Sequence, residues 1–313
     1  MSHLRWGSRL RLGEISSLRP SSTARVPHPC DVLVLVARVG DHDIRPAPFI
    51  KNTLLVLAAT MLLPVAAMAA DSATPRALAV PRARIESADY RASGHMVRVQ
   101  ADGVRVSYPI TIKAHWFPGV LRVQLEIGTG SKYGANPVSA AFHLPAHILL
   151  EMRPGGKSTI LVAHPGDKTA VVLPFDKWSE GPLGNEFSYE DFLEAQYFWA
   201  GQTVLGAAKF GARDCDQLKS TPGATDKSHY IEVTSWLDRA IGFPVYMEKT
   251  LKDGTVKEFS SLGLRQESGV WSAHQIEVKL RGHAGSTLLI IDRGAPHANL
   301  GLKDFSAAQL THF

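Results

Sequence analysis

The strongest constraint on this chain is the alternation of apolar and polar residues in its C-terminal half. The runs "FPVYMEKTLK", "TVKEFSSLGL", "HQIEVKLR" and "STLLIIDRG" fall between Phe243 and Gly294, with turn signals at Asp253-Gly254 and Gly282-His283-Ala284-Gly285. A period of two sends successive side chains to opposite faces of a strand, and short glycine turns join antiparallel neighbours. The expectation is an up-and-down meander. The same period appears in "GVLRVQLEIG", where Leu121, Val123, Leu125 and Ile127 alternate with Arg122, Gln124 and Glu126, as in a half-buried strand. In "VRVSYPITIK" the residues Val104, Val106, Tyr108, Ile110 and Ile112 share a face, and Pro109, which has no amide to donate, points to a sheet edge or a bulge. Further turns are signalled at Asp102-Gly103, Pro154-Gly155-Gly156 and Pro165-Gly166-Asp167.

Helical signals are few. "ATPRALAVPRARIESADYR" allows one helix interrupted at Pro81, "SYEDFLEAQYFW" has Ser188 as N-cap with Asp191 three residues on, and "PVSAAFHLPAHILLEM" allows a third short helix. The expected fold class is mainly β (α+β), a large curved antiparallel sheet with two or three short helices against it.

The N-terminal region has a different character. "KNTLLVLAATMLLPVAAMAADS", residues 51–72, joins a lysine to an uncharged run of about 13 residues and then Ala67-Met68-Ala69. That run is short of the ~20 residues a membrane-spanning helix needs, and it has the layout of a secretory signal. Cleavage is expected after Ala69. Residues 1–50 hold seven arginines and no lysine against four acidic residues, and show no periodic apolar face. They are expected to be an upstream extension outside the fold, with 51–69 as the signal peptide and 70–313 as a single domain exported to the periplasm.

This division changes the meaning of the charge. The whole chain carries 34 basic and 29 acidic residues, or +5, but without residues 1–69 the balance is 26 against 25. Near-neutrality argues against a nucleic-acid partner. Cys215 is then the single cysteine, so no internal disulfide is possible, and a lone thiol of this kind is more often buried than reactive.

Chemistry-bearing patterns are weak. "GGKST" at 155–159 resembles the end of a phosphate-binding loop, but Glu151 stands where that motif needs its first glycine, so a hairpin turn is the better reading. His143 and His147 have helical spacing with Pro145 between them, which argues against a shared metal. Asp214 and Asp216 flank Cys215 and read as solvated carboxylates. Glu190 and Asp191 are adjacent, so on a helix they diverge by about 100° and are poorly placed to work on one bond. No G-x-S-x-G or H-E-x-x-H occurs. Neither an enzyme, a cofactor nor a metal is expected. What remains is apolar surface, including Trp116, Phe117, Trp199, Trp236, Tyr246 and Trp271. From composition, the sheet's inner face is equally consistent with a filled core and with a ligand cavity.

An ordered set of motifs from 184 to 305 resembles the outer-membrane lipoprotein-sorting protein family, the LolA-like periplasmic carriers. Gly184 leads into "EFSYEDF" with Phe187, Ser188, Tyr189, Glu190 and Asp191. Gly211, Arg213, Asp214 and Cys215 follow, then Trp236, Asp238, Phe243, Pro244, Asp253 and Gly254, then "SGVW", "GHAGSTL" and "NLGLKDF". Two departures stand out: "DQLK" follows Cys215 where an apolar strand is usual, and no lid arginine can be placed. The resemblance implies an incomplete antiparallel barrel with short helices as lid or plug, binding acyl chains of lipids or lipoproteins without catalysis. It also implies an inner-membrane extractor and an outer-membrane acceptor as partners and a monomeric carrier. The cavity candidates are Leu121, Val123, Leu125, Trp199, Trp236 and Tyr246. The alternative is a sensor module of the same fold in envelope-stress signalling; an exported hydrolase is a weaker third.

Overall fold

The computed structural model describes residues 75–132, 145–183 and 186–313. The expected extension and signal peptide, with cleavage after Ala69, lie outside the described residues. Among those described, no helix is long and apolar enough to cross a membrane.

The chain begins with α1 (Arg76–Glu86), then β1 (Asp89–Val99), β2 (Arg105–Phe117), β3 (Val120–Ile127), β4 (Ser131–Lys132), β5 (Ala146–Met152), β6 (Thr159–Ala163) and β7 (Val171–Val172). After a connection of single 3-10 turns come β8 (Gly201–Phe210), β9 (Arg213–Thr221), β10 (Tyr230–Asp238), β11 (Pro244–Leu251), β12 (Val256–Glu267), β13 (Val270–Leu280) and β14 (Ser286–Pro296). Thirteen strands form one path in the order β7-β6-β5-β3-β2-β1-β14-β13-β12-β11-β10-β9-β8, with β4 paired to β2 off it. The pairings are antiparallel, and the path does not close: β7 is at one end and β8 at the other. This is the expected mainly-β architecture, a curved, incomplete barrel.

The meander follows its turn chemistry. Gly254 adopts φ +86° and Asp253 Oδ1 accepts the Thr255 amide at 2.8 Å, so β11 and β12 pair Lys249 with Lys257 and Met247 with Phe259. The "GGKST" stretch turns the β5–β6 hairpin, as expected. At the seam between the N- and C-terminal halves, β1 pairs with β14, with an irregularity after Ser93. A Cβ on Gly94 would collide with the Ile290 carbonyl, so only glycine fits there.

Three local expectations are corrected. Residues 146–152 form a strand rather than part of a helix: Ala146, Ile148, Leu150 and Met152 face one side while Leu149 packs on the other. A short run buried on both faces loses the alternation that would have marked it. Pro109 lies in an interior strand, between β1 and β3, where the β3 ladder ends at Ile110 and the β4 ladder begins at Ser107. There Gly128 donates its amide to the Pro109 carbonyl at 2.9 Å, and the missing proline donor falls at a break in pairing. Pro81 does not interrupt α1, whose buried residues Ala77, Leu78, Pro81 and Ile85 secure it through packing.

Both faces of the β3–β5–β6 region are covered. Leu121, Val123, Leu125, Ile148, Leu150 and Ile160 enter the main core on the inward side. On the outward side, Leu300, Phe305 and Leu310 from the C-terminal tail pack on Leu149 and Ala163. Asp89 holds this tail by accepting the amides of Asn299 and Leu300, both at 2.9 Å. Burial would raise the Asp89 pKa, but these amides and His115 bring it below the ordinary carboxylate value.

Candidate functional site

The strand order explains why the inward face is covered. β7 and β8 are at opposite ends of the sheet, so the connection between them, described over residues 173–183 and 186–200, travels from one edge to the other. They cross over the inward face as 3-10 turns at Phe175–Lys177, Tyr189–Leu193 and Ala195–Phe198. Trp178, Leu183, Phe187, Leu193 and Tyr197 from this plug join the core formed by both halves of the sheet. The expected N-cap is present: Asp191 Oδ2 accepts the Ser188 amide at 2.8 Å. The stretch Tyr189–Leu193 is one short 3-10 turn rather than an α-helix, and it ends at Glu194 with φ +46°.

Asp191 does more than cap. Its Oδ1 accepts hydrogen bonds from Lys249 Nζ at 2.9 Å and the Tyr230 hydroxyl at 2.8 Å. Its Oδ2 takes the Ser188 hydroxyl at 2.6 Å and Lys257 Nζ at 3.4 Å. Lys249 is 2 % exposed, Lys257 3 % and Asp191 5 %. Burial would push the Asp191 pKa up, but Lys249, Lys257 and Ser188 outweigh it and hold the carboxyl far below the ordinary range. Burial, with Asp191 and Glu190 nearby, raises the Tyr230 hydroxyl well above its usual value. The ammonium groups also lie against aromatic rings, Lys249 at 4.5 Å from the Phe259 centroid and Lys257 at 5.6 Å from Tyr230.

A second ionic contact fastens the plug to α1, where Arg84 Nη2 donates to both Glu194 oxygens at 2.7 and 2.9 Å. Arg82 Nε adds a bond to the Tyr197 carbonyl at 2.6 Å. The Tyr197 hydroxyl reaches Ser235 at 3.3 Å, and burial raises its pKa. Next to Asp191, the Glu190 carboxylate accepts the His229 amide at 3.3 Å through one oxygen, and the other has no partner among the described residues.

The six cavity candidates separate. Leu121, Val123 and Leu125 are beneath the plug in the main core. Trp199, at the end of the plug, packs with Tyr230 and Val233. Trp236 and Tyr246 are cross-strand neighbours with ring centroids 5.0 Å apart, and Phe210 stacks on Tyr246 at 4.7 Å. They alternate with the inward-facing Ser235 and Met247, so they occupy the other face and are not brought together with the first four. His147 stacks on Phe313, Asp216 pairs with Arg239 at 2.7 Å, and Cys215 is fully buried. No cluster of metal-ligating side chains occurs among the described residues. A shallow cleft of about 10 Å³ lies beside α1, lined by Arg76, Val80, Pro81, Asp216 and Arg239. It is smaller than the roughly 300–1,000 Å³ of typical ligand pockets, and the inward face is filled by the plug.

The lysines were overlooked although their signal is visible. A hairpin turning at Asp253-Gly254 places 249 opposite 257, and both lysines fall in the apolar phase of their strands, with Met247 and Phe259. A charge in that phase needs a buried partner, and Asp191 supplies it.

Comparison with known proteins agrees with this architecture. A protein-family profile described as "-like: Uncharacterized protein" matches residues 177–312, from the plug to the C-terminus. No curated protein matches the chain. An outer membrane lipoprotein-sorting protein domain from Vibrio parahaemolyticus superimposes with a TM-score of 0.62 at 20 % identity, covering 75 % of this chain and 98 % of that one. A DUF1329 family protein from Desulfovibrio piger gives 0.61 at 14 % identity, with 75 % and 97 % coverage. A LolA superfamily protein from Nitrosomonas europaea gives 0.50 at 15 % identity, with 74 % and 94 % coverage. Together with the open antiparallel sheet, these matches show that the chain has the LolA-like fold.

Proposed function

We propose that the chain is a LolA-like carrier in the periplasm that takes up acyl chains of lipids or lipoproteins on the inward face of its sheet, without chemistry on the cargo. The observation carrying this reading is the cover itself. The large apolar inner face is closed by a connection of single 3-10 turns rather than by a second layer of regular structure.

Magnitudes support an exchange between plug and cargo. A methylene removed from water contributes about 0.8 kcal/mol, so a 16-carbon chain has on the order of 12 kcal/mol to gain from shelter. Leu183, Phe187 and Leu193 of the plug together represent roughly 5 to 9 kcal/mol of burial, with Trp178 and Tyr197 in addition. The two quantities are comparable, as a shuttle requires: a plug much more strongly held would exclude cargo, and a much weaker one would leave the apolar face bare.

The proposal includes export by the signal at 51–69 with cleavage after Ala69, a monomeric carrier, and hand-over from an inner-membrane extractor to an outer-membrane acceptor. Purified protein is expected to bind a fluorescent fatty acid saturably and to release lipoprotein from membrane vesicles. Absence of both activities, together with a stable protein partner in pull-down, contradicts the carrier reading and favours the envelope-stress sensor.

A further inference from the structure

The Lys249–Lys257 pair poses a problem for the sheet that only the plug resolves. The two residues are directly opposite each other in the β11–β12 ladder, on the inward face, between Met247 and Phe259 on one side and the hairpin turn on the other. Like charges facing across a ladder repel, and in an apolar setting each ammonium also loses its water. Among the described residues, Asp191 is the sole carboxylate within 4.0 Å of either ammonium. Glu190 instead faces His229, its Oε2 3.5 Å from Nδ1, and Glu186 accepts from the Thr287 hydroxyl.

Asp191 belongs to the crossing segment, whereas three donors to its carboxylate belong to the sheet. Lys249, Lys257 and the Tyr230 hydroxyl converge on its two oxygens at 2.9, 3.4 and 2.8 Å. Without Asp191, the sheet would present two ammonium groups and a hydroxyl aimed at one point within an otherwise apolar surface. That is a receptor for a single oxyanion attached to a hydrocarbon.

We propose that Lys249, Lys257 and Tyr230 form the head-group subsite of the acyl site, and that Asp191 fills it as an internal stand-in for an anionic amphiphile bearing a carboxylate or phosphate head. This rests on the carrier reading above and names the class of cargo it favours. When the plug gives way, an anionic head replaces the Asp191 carboxylate and the lysines remain paired. A neutral head leaves both uncompensated, so cargo selection and plug release become one event.

The test is displacement of a fluorescent apolar probe from the full-length protein at neutral pH by dodecanoate, dodecyl phosphate and 1-dodecanol. It compares the natural sequence with Asp191→Asn and with the triple variant Asp191→Asn/Lys249→Met/Lys257→Met. The natural protein is expected to bind both anions about tenfold more tightly than the alcohol, and Asp191→Asn to bind them about tenfold more tightly still. The triple variant, whose core carries none of these charges, is expected to bind all three alike. If Asp191→Asn does not fold, the natural protein and the triple variant carry the comparison. A preference between the two anions identifies the head as carboxylate or phosphate. Equal binding of anions and alcohol by the natural protein, or an anion preference surviving in the triple variant, overturns the subsite and leaves the carrier reading standing. Failure of all three compounds to bind any variant overturns both.

Discussion

The two halves of the sheet are built from similar antiparallel strands but differ in their outer cover. In the half containing β1–β7, β3 and β5 are shielded on both sides, by the plug inside and the C-terminal tail outside. Even the polar phase of β3 is enclosed there: Gln124 is 3 % exposed, Arg122 pairs with Glu151 at 2.8 Å, and Lys113 pairs with Glu126 at 3.3 Å. In the half containing β8–β14 the outer face is open, with Leu262 exposed on it, Leu205 exposed at the β8 bulge, and Trp236, Tyr246 and Phe210 forming a half-buried aromatic cluster. Alternation determines which residues share a face, and the crossing connections determine which faces are dry. The buried charges occur where the plug meets the half with the open outer face, since β11 and β12 carry the lysines and the plug supplies their counter-ion.

The largest effect expected from breaking this arrangement is at Asp191. Asp191→Ala leaves two buried ammonium groups unpaired and is expected to cost about 3–5 kcal/mol in denaturant unfolding, with the triple variant described above recovering most of the loss. Next is Leu125→Ala, which opens a void in the doubly covered half, with an expected loss of about 2–5 kcal/mol. Leu205→Ala, on the exposed edge strand β8, should stay within about 0.5 kcal/mol of the natural protein. If these two changes had equal effects, the contrast between the halves would fail.

Acid titration sharpens the comparison further. Asp191 and Asp89 have folded-state pKa values below their unfolded ones, so the stability they contribute is present above about pH 4 and is lost as pH falls below it. Thermal midpoints measured between pH 7 and pH 3 should decline mainly below pH 4, and Asp191→Asn should flatten that decline. A small effect is also expected at Arg281, an exposed residue that donates to Glu248 and Glu258 on the outer face at 2.5 and 2.7 Å. Arg281→Ala should cost less than about 1 kcal/mol, and less again in high salt.

Much of this fold could be read before the structure, for identifiable reasons. The β11–β14 meander and β3 were visible because each strand buries one phase of its sequence and leaves the other polar. The contact from Asp191 back to Ser188 was visible because it spans three residues. β5 was misread because Leu149 is buried against a tail 150 residues away, which filled in the polar phase that should have marked a strand. The break beside Pro109 depends on how the chain passes from β3 to β4, which local pattern does not contain. Of the six cavity candidates, Leu121, Val123 and Leu125 lie in the main core beneath the plug, while Trp236 and Tyr246 alternate with the inward-facing Ser235 and Met247, a difference of phase that aromatic character does not carry. A lid or plug was implied by the family resemblance, but its path could not be read from local pattern, because it follows from β7 and β8 being at opposite ends of the sheet, a property of the whole topology. The lysine pair was legible in the hairpin register and required only that register to be written out.

In the carrier reading, the plug and an acyl chain compete for one apolar face. Hydrogen exchange of the backbone amides in residues 186–200, with and without a saturating fluorescent fatty acid, tests it most directly. With competition, the fatty acid accelerates exchange in this segment while the β3 and β5 amides remain protected. Unchanged or slower exchange in residues 186–200 under saturation would show that cargo binds elsewhere and would contradict it.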